Sequence, residues 1–131
     1  GEMGIGEHIL DALAMHPNRI GHGIDCVQDE SYMKALLDAK VPCEVCVSSN
    51  VKTSRNYASH PIRKMIEAGL KVTINTDNMI FARTDTVNEH NQLKMIGFDD
   101  ETLMRCTLNA IDGAFCDEKT KEELRNRLND L

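Results

Sequence analysis

The chain has 131 residues, with 15 Lys and Arg against 21 Asp and Glu and a net charge of -6, which fits one ordinary domain able to bury a core and gives no electrostatic footing for a nucleic acid. No apolar run approaches the roughly 20 residues of a membrane span, and Gly1-Glu2-Met3-Gly4 lacks the basic and apolar regions of a signal peptide. A soluble, cytoplasmic protein is therefore expected, although a start at Gly rather than Met points to a chain that has lost its own N-terminus.

Residues 5 to 15 set Ile5, Ile9, Leu10 and Leu13 on one helical face, and Pro17-Asn18 breaks the pattern before a strand from Arg19 to Gly21. The unit recurs: Asp29 caps a helix carrying Met33, Leu36 and Leu37, and Pro42 introduces the strand Cys43-Glu44-Val45-Cys46-Val47. A third unit follows, in which Ser59-His60-Pro61 starts a helix with the face Ile62, Met65 and Ile66, Gly69 closes it, and Lys71 to Thr76 is the strand. After Asp77 a long loop is expected, then helices around 86 to 96, 100 to 112 and 118 to 130, the last with Leu124, Leu128 and Leu131 on one stripe. Helices alternating with short apolar strands predict a parallel α/β sheet in one domain. No Gly-x-Gly-x-x-Gly or Walker-type loop follows any strand, and periodicity leaves barrel and open sheet as alternatives.

Chemistry in a parallel α/β protein sits where strands end. Two such ends carry titratable groups: Arg19-Ile20-Gly21-His22-Gly23 places an imidazole between glycines, and Val72-Thr73-Ile74-Asn75-Thr76-Asp77-Asn78 delivers a carboxylate. Asp77 also reads as simple turn chemistry, and His22 as a structural histidine, so the pair together suggests a metal or acid/base site. His60 reads as a helix-start residue before Pro61, and His8 and His16 as exposed helical positions.

Five cysteines, Cys26, Cys43, Cys46, Cys106 and Cys116, are an odd number spread through periodic segments, as expected of reduced thiols rather than a disulfide framework. Pro42-Cys43-Glu44-Val45-Cys46 matches half of the zinc signature of cytidine-type deaminases, but none of His8, His16, His22, His60 or His90 is followed two residues later by Glu to complete it. Residues three apart on a strand also point to opposite faces. Core cysteines are the favoured reading.

Gly1-Glu2, Arg19-Ile20-Gly21-His22-Gly23, Cys43 to Asn50, His60-Pro61-Ile62 and Asn75-Thr76-Asp77-Asn78 together resemble, in order and spacing, the adenosine deaminase family. The resemblance spans essentially the whole chain but covers only the C-terminal part of a (β/α)8 barrel, about three to four of its eight units, where a complete barrel takes roughly 250 residues. It implies a zinc-dependent hydrolytic deamination of an adenine ring. Gly1-Glu2 look like the end of the family's His-Ala-Gly-Glu motif, which makes Glu2 the catalytic acid and Gly1 a substrate contact. By the same resemblance His22 is the catalytic imidazole, Asp77 the zinc ligand and Asn78 a purine-contacting residue.

Asn78 stands where the family more often has a second aspartate; an amide donates to the purine N7 without needing a proton, so recognition should survive. The remaining zinc ligands of the family fall upstream of Gly1, so the resemblance implies a fragment that is inactive and zinc-free alone. Its exposed sheet edges would pair with the missing N-terminal half or with a second copy. The resemblance leaves adenosine, adenine and N6-substituted adenine nucleotides open, and the lack of a basic cluster near the motifs favours an uncharged substrate. The alternative reading is a non-catalytic half-barrel interaction module.

Overall fold

The computed structural model describes residues 4–53 and 55–130. Its centre is a three-stranded parallel sheet of β1 (Ile20–Gly21), β2 (Cys43–Val45) and β3 (Val72–Ile74), in the spatial order β1-β2-β3. Each strand lies beside its neighbour in sequence, with no reversal of strand order. That order is the one the wall of a barrel takes, each strand followed by its neighbour.

Helix α1 (His8–Ala14) precedes β1, α2 (Glu30–Ala39) connects β1 to β2, and α3 (Val47–Thr53) and α4 (Ile62–Glu67) connect β2 to β3. A short 3-10 segment, Ile24–Gln28, follows β1. Four helices come after β3: α5 (Met79–Ala82), α6 (Thr86–Met95), α7 (Asp100–Asp112) and α8 (Glu118–Asn129). No described helix is long and apolar enough to cross a membrane.

The register aligns Ile20 with Cys43 and Cys43 with Val72, then Gly21 with Glu44 and Glu44 with Thr73. Because side chains alternate along a strand, Ile20, Cys43, Val45 and Val72 share one face, and all four are buried. That face packs with Leu36, Ile62 and Met65 of the covering helices in a single apolar cluster. The opposite face presents Gly21, Glu44 and Thr73, so the sequence divides the sheet into an apolar outer side and a polar inner side.

Gly23 shows how closely the first turn packs. Its φ is 70°, and a Cβ there would stand 2.8 Å from the Cys43 sulfur, so only glycine fits both the backbone and the space. Cys26, Cys43, Cys46 and Cys106 are buried, Cys116 is exposed, and no disulfide joins the five. Burial pushes the thiols of Cys26 and Cys106 up to about 11 and that of Cys43 up to about 12, as core residues require.

Several boundaries differ from the sequence expectation. The second strand stops at Val45 rather than Val47, and α3 begins at Val47. The cause is tertiary: the buried carboxylate of Glu89 on α6 accepts the Ser48 backbone N–H at 3.2 Å, supplying a partner that an incipient helix lacks. The long loop after Asp77 contains α5 instead, capped by Asn78, whose Oδ1 accepts the Phe81 N–H at 2.9 Å. At α4 the helix runs from Ile62 with Pro61 at its N-cap, and His60 stands at the helix start as expected, its Nδ1 accepting the Ile62 N–H at 3.1 Å. On α8, Leu124 is exposed and Leu128 half-buried, while Leu131 lies outside the described residues. Arg125 ties this helix to the Asp112 carboxylate at 2.6 Å.

The two outer strands differ in how their edges are covered. The backbone N–H groups of Ile20 and His22 bond to the carbonyls of Pro42 and Glu44, which turns Gly21 toward the outer edge of β1. On β3 the Lys71 carbonyl and the Asn75 N–H point to β2, so Val72 faces outward. There the Asn109 side chain from α7 donates to the Val72 carbonyl at 2.9 Å.

Candidate active site

The three strands point their C-terminal ends at one cleft of about 250 Å³, lined by Gly21, His22, Glu44, Cys46, Asn75 and Asp77. His22 is the first residue beyond β1. Asp77 follows β3 by three positions. Both have left-handed backbones, with φ 59° and 56°, a conformation costing roughly 1–2 kcal/mol for a residue with a Cβ. His and Asp tolerate it better than most residues, and in both cases it turns the chain sharply over the end of its strand.

These two side chains face each other. His22 Nε2 and Asp77 Oδ2 are 4.0 Å apart, with the imidazole 18% exposed and the carboxylate 41%. The gap is too long for a direct hydrogen bond and short enough for one oxygen atom to touch both. Asp77 is steadied from behind by the buried Ser49, whose hydroxyl donates to the same Oδ2 at 2.7 Å. His22 is steadied on its other nitrogen: Nδ1 lies 3.2 Å from the Asn50 side-chain amide. Consecutive residues on α3 thus hold the two functional groups.

A second layer stands behind Asn50, which is fully buried. Its Oδ1 is 3.2 Å from Nε2 of the buried His60. Burial and the neighbouring Arg55 push the His60 imidazole down to about 4, so it stays neutral near pH 7. On the cleft floor Glu44 is paired with Arg19 at 3.1 Å.

The sequence-predicted residues His22 and Asp77 are therefore brought together. Asn78 sits beside Asp77, exposed, with its Oδ1 used for capping and its amide nitrogen left as a donor. Gly1 and Glu2 lie outside the described residues. Sequence reasoning missed Ser49, Asn50 and His60 as parts of the site. The signal available was Ser48-Ser49-Asn50, a run of small polar residues directly after an apolar strand, where backbone propensity alone suggests only a turn.

As a metal ligand Asp77 has a suitable arrangement: an ionisable oxygen pair, one oxygen oriented by a hydroxyl, and an open side toward the cleft. Among the described residues no three His, Cys, Asp or Glu side chains converge on a common point, so this arrangement fits one coordination position.

The family model for adenosine deaminase matches residues 1–131. Among curated proteins, an adenine deaminase of Rhizobium leguminosarum bv. trifolii is 40% identical over 124 residues, covering 92% of this chain and 38% of that protein. An adenosine deaminase of Clostridium acetobutylicum is 36% identical over 132 residues, covering 98% of this chain and 40% of that protein. The chain thus spans about 40% of the length of the relatives it matches. Among solved structures, an adenine deaminase from Arthrobacter aurescens superposes with a TM-score of 0.93 at 30% identity, over 99% of this chain and 41% of that one. An amidohydrolase from Burkholderia ambifaria with bound Zn gives a TM-score of 0.76 at 27% identity, over 88% and 34% of the two chains. The fold is accordingly the C-terminal portion of a (β/α)8 barrel.

Proposed function

Because this chain belongs to the adenosine deaminase family, we propose that it forms one wall of an active site that hydrolyses the exocyclic amine from an adenine ring, as free base or nucleoside, with zinc as the metal. The observation that carries the reading is the facing pair His22 and Asp77, 4.0 Å apart at the ends of two barrel strands. The zinc assignment is supported by the bound Zn of the amidohydrolase that shares the fold and by the single ligand position that Asp77 offers. Its other ligands would come from outside this chain.

Zinc, when bound, would supply Lewis acidity that lowers the pKa of water toward 7. Asp77 would bind it through the carboxylate that Ser49 orients. His22 would position the attacking water through its ring N–H and stabilise negative charge as the oxygen adds to C6. Glu2 would give a proton to N1, which makes C6 electrophilic. The C6–N bond would then break as the amine takes up the proton given up by the added water and leaves as ammonia, and the ring would keep the oxygen as a carbonyl. Asn78 would donate its amide to N7, and Gly1 would contact the same ring. A cytoplasmic setting belongs to this reading, supported by five cysteines of which none is joined in a disulfide.

The intact zinc-loaded protein, incubated with adenosine and separately with adenine, is expected to convert at least one of them, read as loss of the adenine-ring absorbance and release of ammonia. A folded, zinc-loaded protein that leaves both compounds unchanged rules the proposal out.

A further inference from the structure

We infer that His60 and Asn50 are positioning residues that decide which ring nitrogen of His22 carries the proton, so that His22 offers an Nε2–H to the cleft. The catalytic consequence rests on the deaminase reading above; the proton placement does not.

The Ile62 N–H donates to His60 Nδ1 at 3.1 Å, so that nitrogen must present a lone pair. His60 is buried and held neutral by burial and by Arg55, so its one ring proton is on Nε2. That proton is donated to Asn50 Oδ1 at 3.2 Å. With its oxygen committed, Asn50 must turn its NH2 toward His22 Nδ1, 3.2 Å away. Reversing the amide would set two donors against each other in a fully buried position, and a buried donor left without an acceptor costs about 1–3 kcal/mol.

His22 Nδ1 is therefore an acceptor, and the proton of the neutral ring is on Nε2, the nitrogen facing Asp77 Oδ2. A donor and a carboxylate acceptor across one gap would orient a water: its lone pair toward His22, one hydrogen toward Asp77. With the proton on Nδ1 instead, both groups facing the gap would be acceptors, so a water there would have to donate to both and its oxygen would receive no hydrogen bond from His22. One backbone N–H, at the start of α4, is thus transmitted through two side chains to the reacting face.

The test uses the intact zinc-loaded protein with isotopically labelled histidine, reading the ring-nitrogen shifts of His22 by NMR. The expected wild-type result is an unprotonated Nδ1 and a protonated Nε2. In Asn50→Asp the new carboxylate can only accept, so the His22 proton should move to Nδ1. Deamination should then fall about 10- to 100-fold, the range for an outer residue that orients a functional one, in kcat with KM little changed. His60→Gln keeps a side-chain N–H for Asn50 and should retain the wild-type shifts, whereas His60→Ala should lose them; this pair serves if Asn50→Asp fails to fold. A wild-type His22 protonated on Nδ1, or a proton position unmoved in both Asn50→Asp and His60→Ala, overturns the inference. The expected shifts in a protein without deaminase activity would uphold the relay and refute the reaction.

Discussion

At His22 and Asp77 the backbone adopts a conformation that most side chains avoid, and the hydrogen bonds around them show what keeps it there. Ser49 holds the Asp77 carboxylate with one short bond. Ser49→Ala is expected to leave the fold intact while lowering zinc affinity or turnover about 10- to 100-fold, measured by metal titration and steady-state kinetics. His60 makes a prediction about pH. Its folded pKa of about 4 lies below the ordinary 6.5, so between those values the unfolded chain takes up a proton that the folded one refuses. Stability therefore falls as pH drops through that window. From about pH 7.5 to about pH 5 this group should remove about 2 kcal/mol, and His60→Gln should be less sensitive by that amount. Urea unfolding of both proteins at the two pH values checks it. His22 and Asp77 were legible in the sequence because each ends an apolar strand. Ser49, Asn50 and His60 were not, since their roles depend on partners 28, 28 and 10 residues away, which local pattern does not reveal.

Among the elements, β1, β2 and β3 were readable as β-branched or apolar runs bounded by Pro and Gly, and α2 as a periodic face behind the Asp29 cap. Helix α3 was not readable, because Val47-Ser48-Ser49-Asn50 has no strong helical preference and begins its turn against a side chain of α6. Glu89 makes that connection from a fully buried position, accepting from the Thr84 hydroxyl at 2.7 Å as well as from Ser48. Glu89→Ala should cost about 1–3 kcal/mol for each donor left unsatisfied and loosen the helix that carries Ser49 and Asn50. Denaturant unfolding reads the first effect; faster amide exchange at Ser48 reads the second. The tight first turn gives another test at this scale. Gly23→Ala combines a left-handed backbone with contact on Cys43 and should destabilise by about 2–4 kcal/mol, seen as a lower unfolding midpoint.

For the molecule as a whole, strand order carried the architecture: alternation predicted a parallel sheet, and the observed neighbour-to-neighbour order together with the structural relatives makes it a barrel segment. Periodicity could not decide that point, because barrel and open sheet share the same local units. We propose that the outer edges of β1 and β3 pair with the other strands of the barrel, or with a second copy when these 131 residues are expressed alone. The expected outcome is a self-associated species on size-exclusion chromatography that is converted to a defined complex by an N-terminal barrel half. A well-folded monomer would contradict it. The neighbour-to-neighbour order also bears on how the site comes into being. The bonds from Asn50 to His22 and from Ser49 to Asp77 each close over 28 residues, and β3 reaches β2 over about the same distance, with Thr73 and Cys43 separated by 30. Such short closures carry little more entropic cost than an ordinary loop. As the chain leaves the ribosome from its N-terminal side, docking of the second unit would bring Asn50 to His22, and docking of the third would bring His60 to Asn50 and Asp77 to Ser49 and His22. The wall that carries His22 and Asp77 would thus be laid down in the order of synthesis, one neighbour at a time.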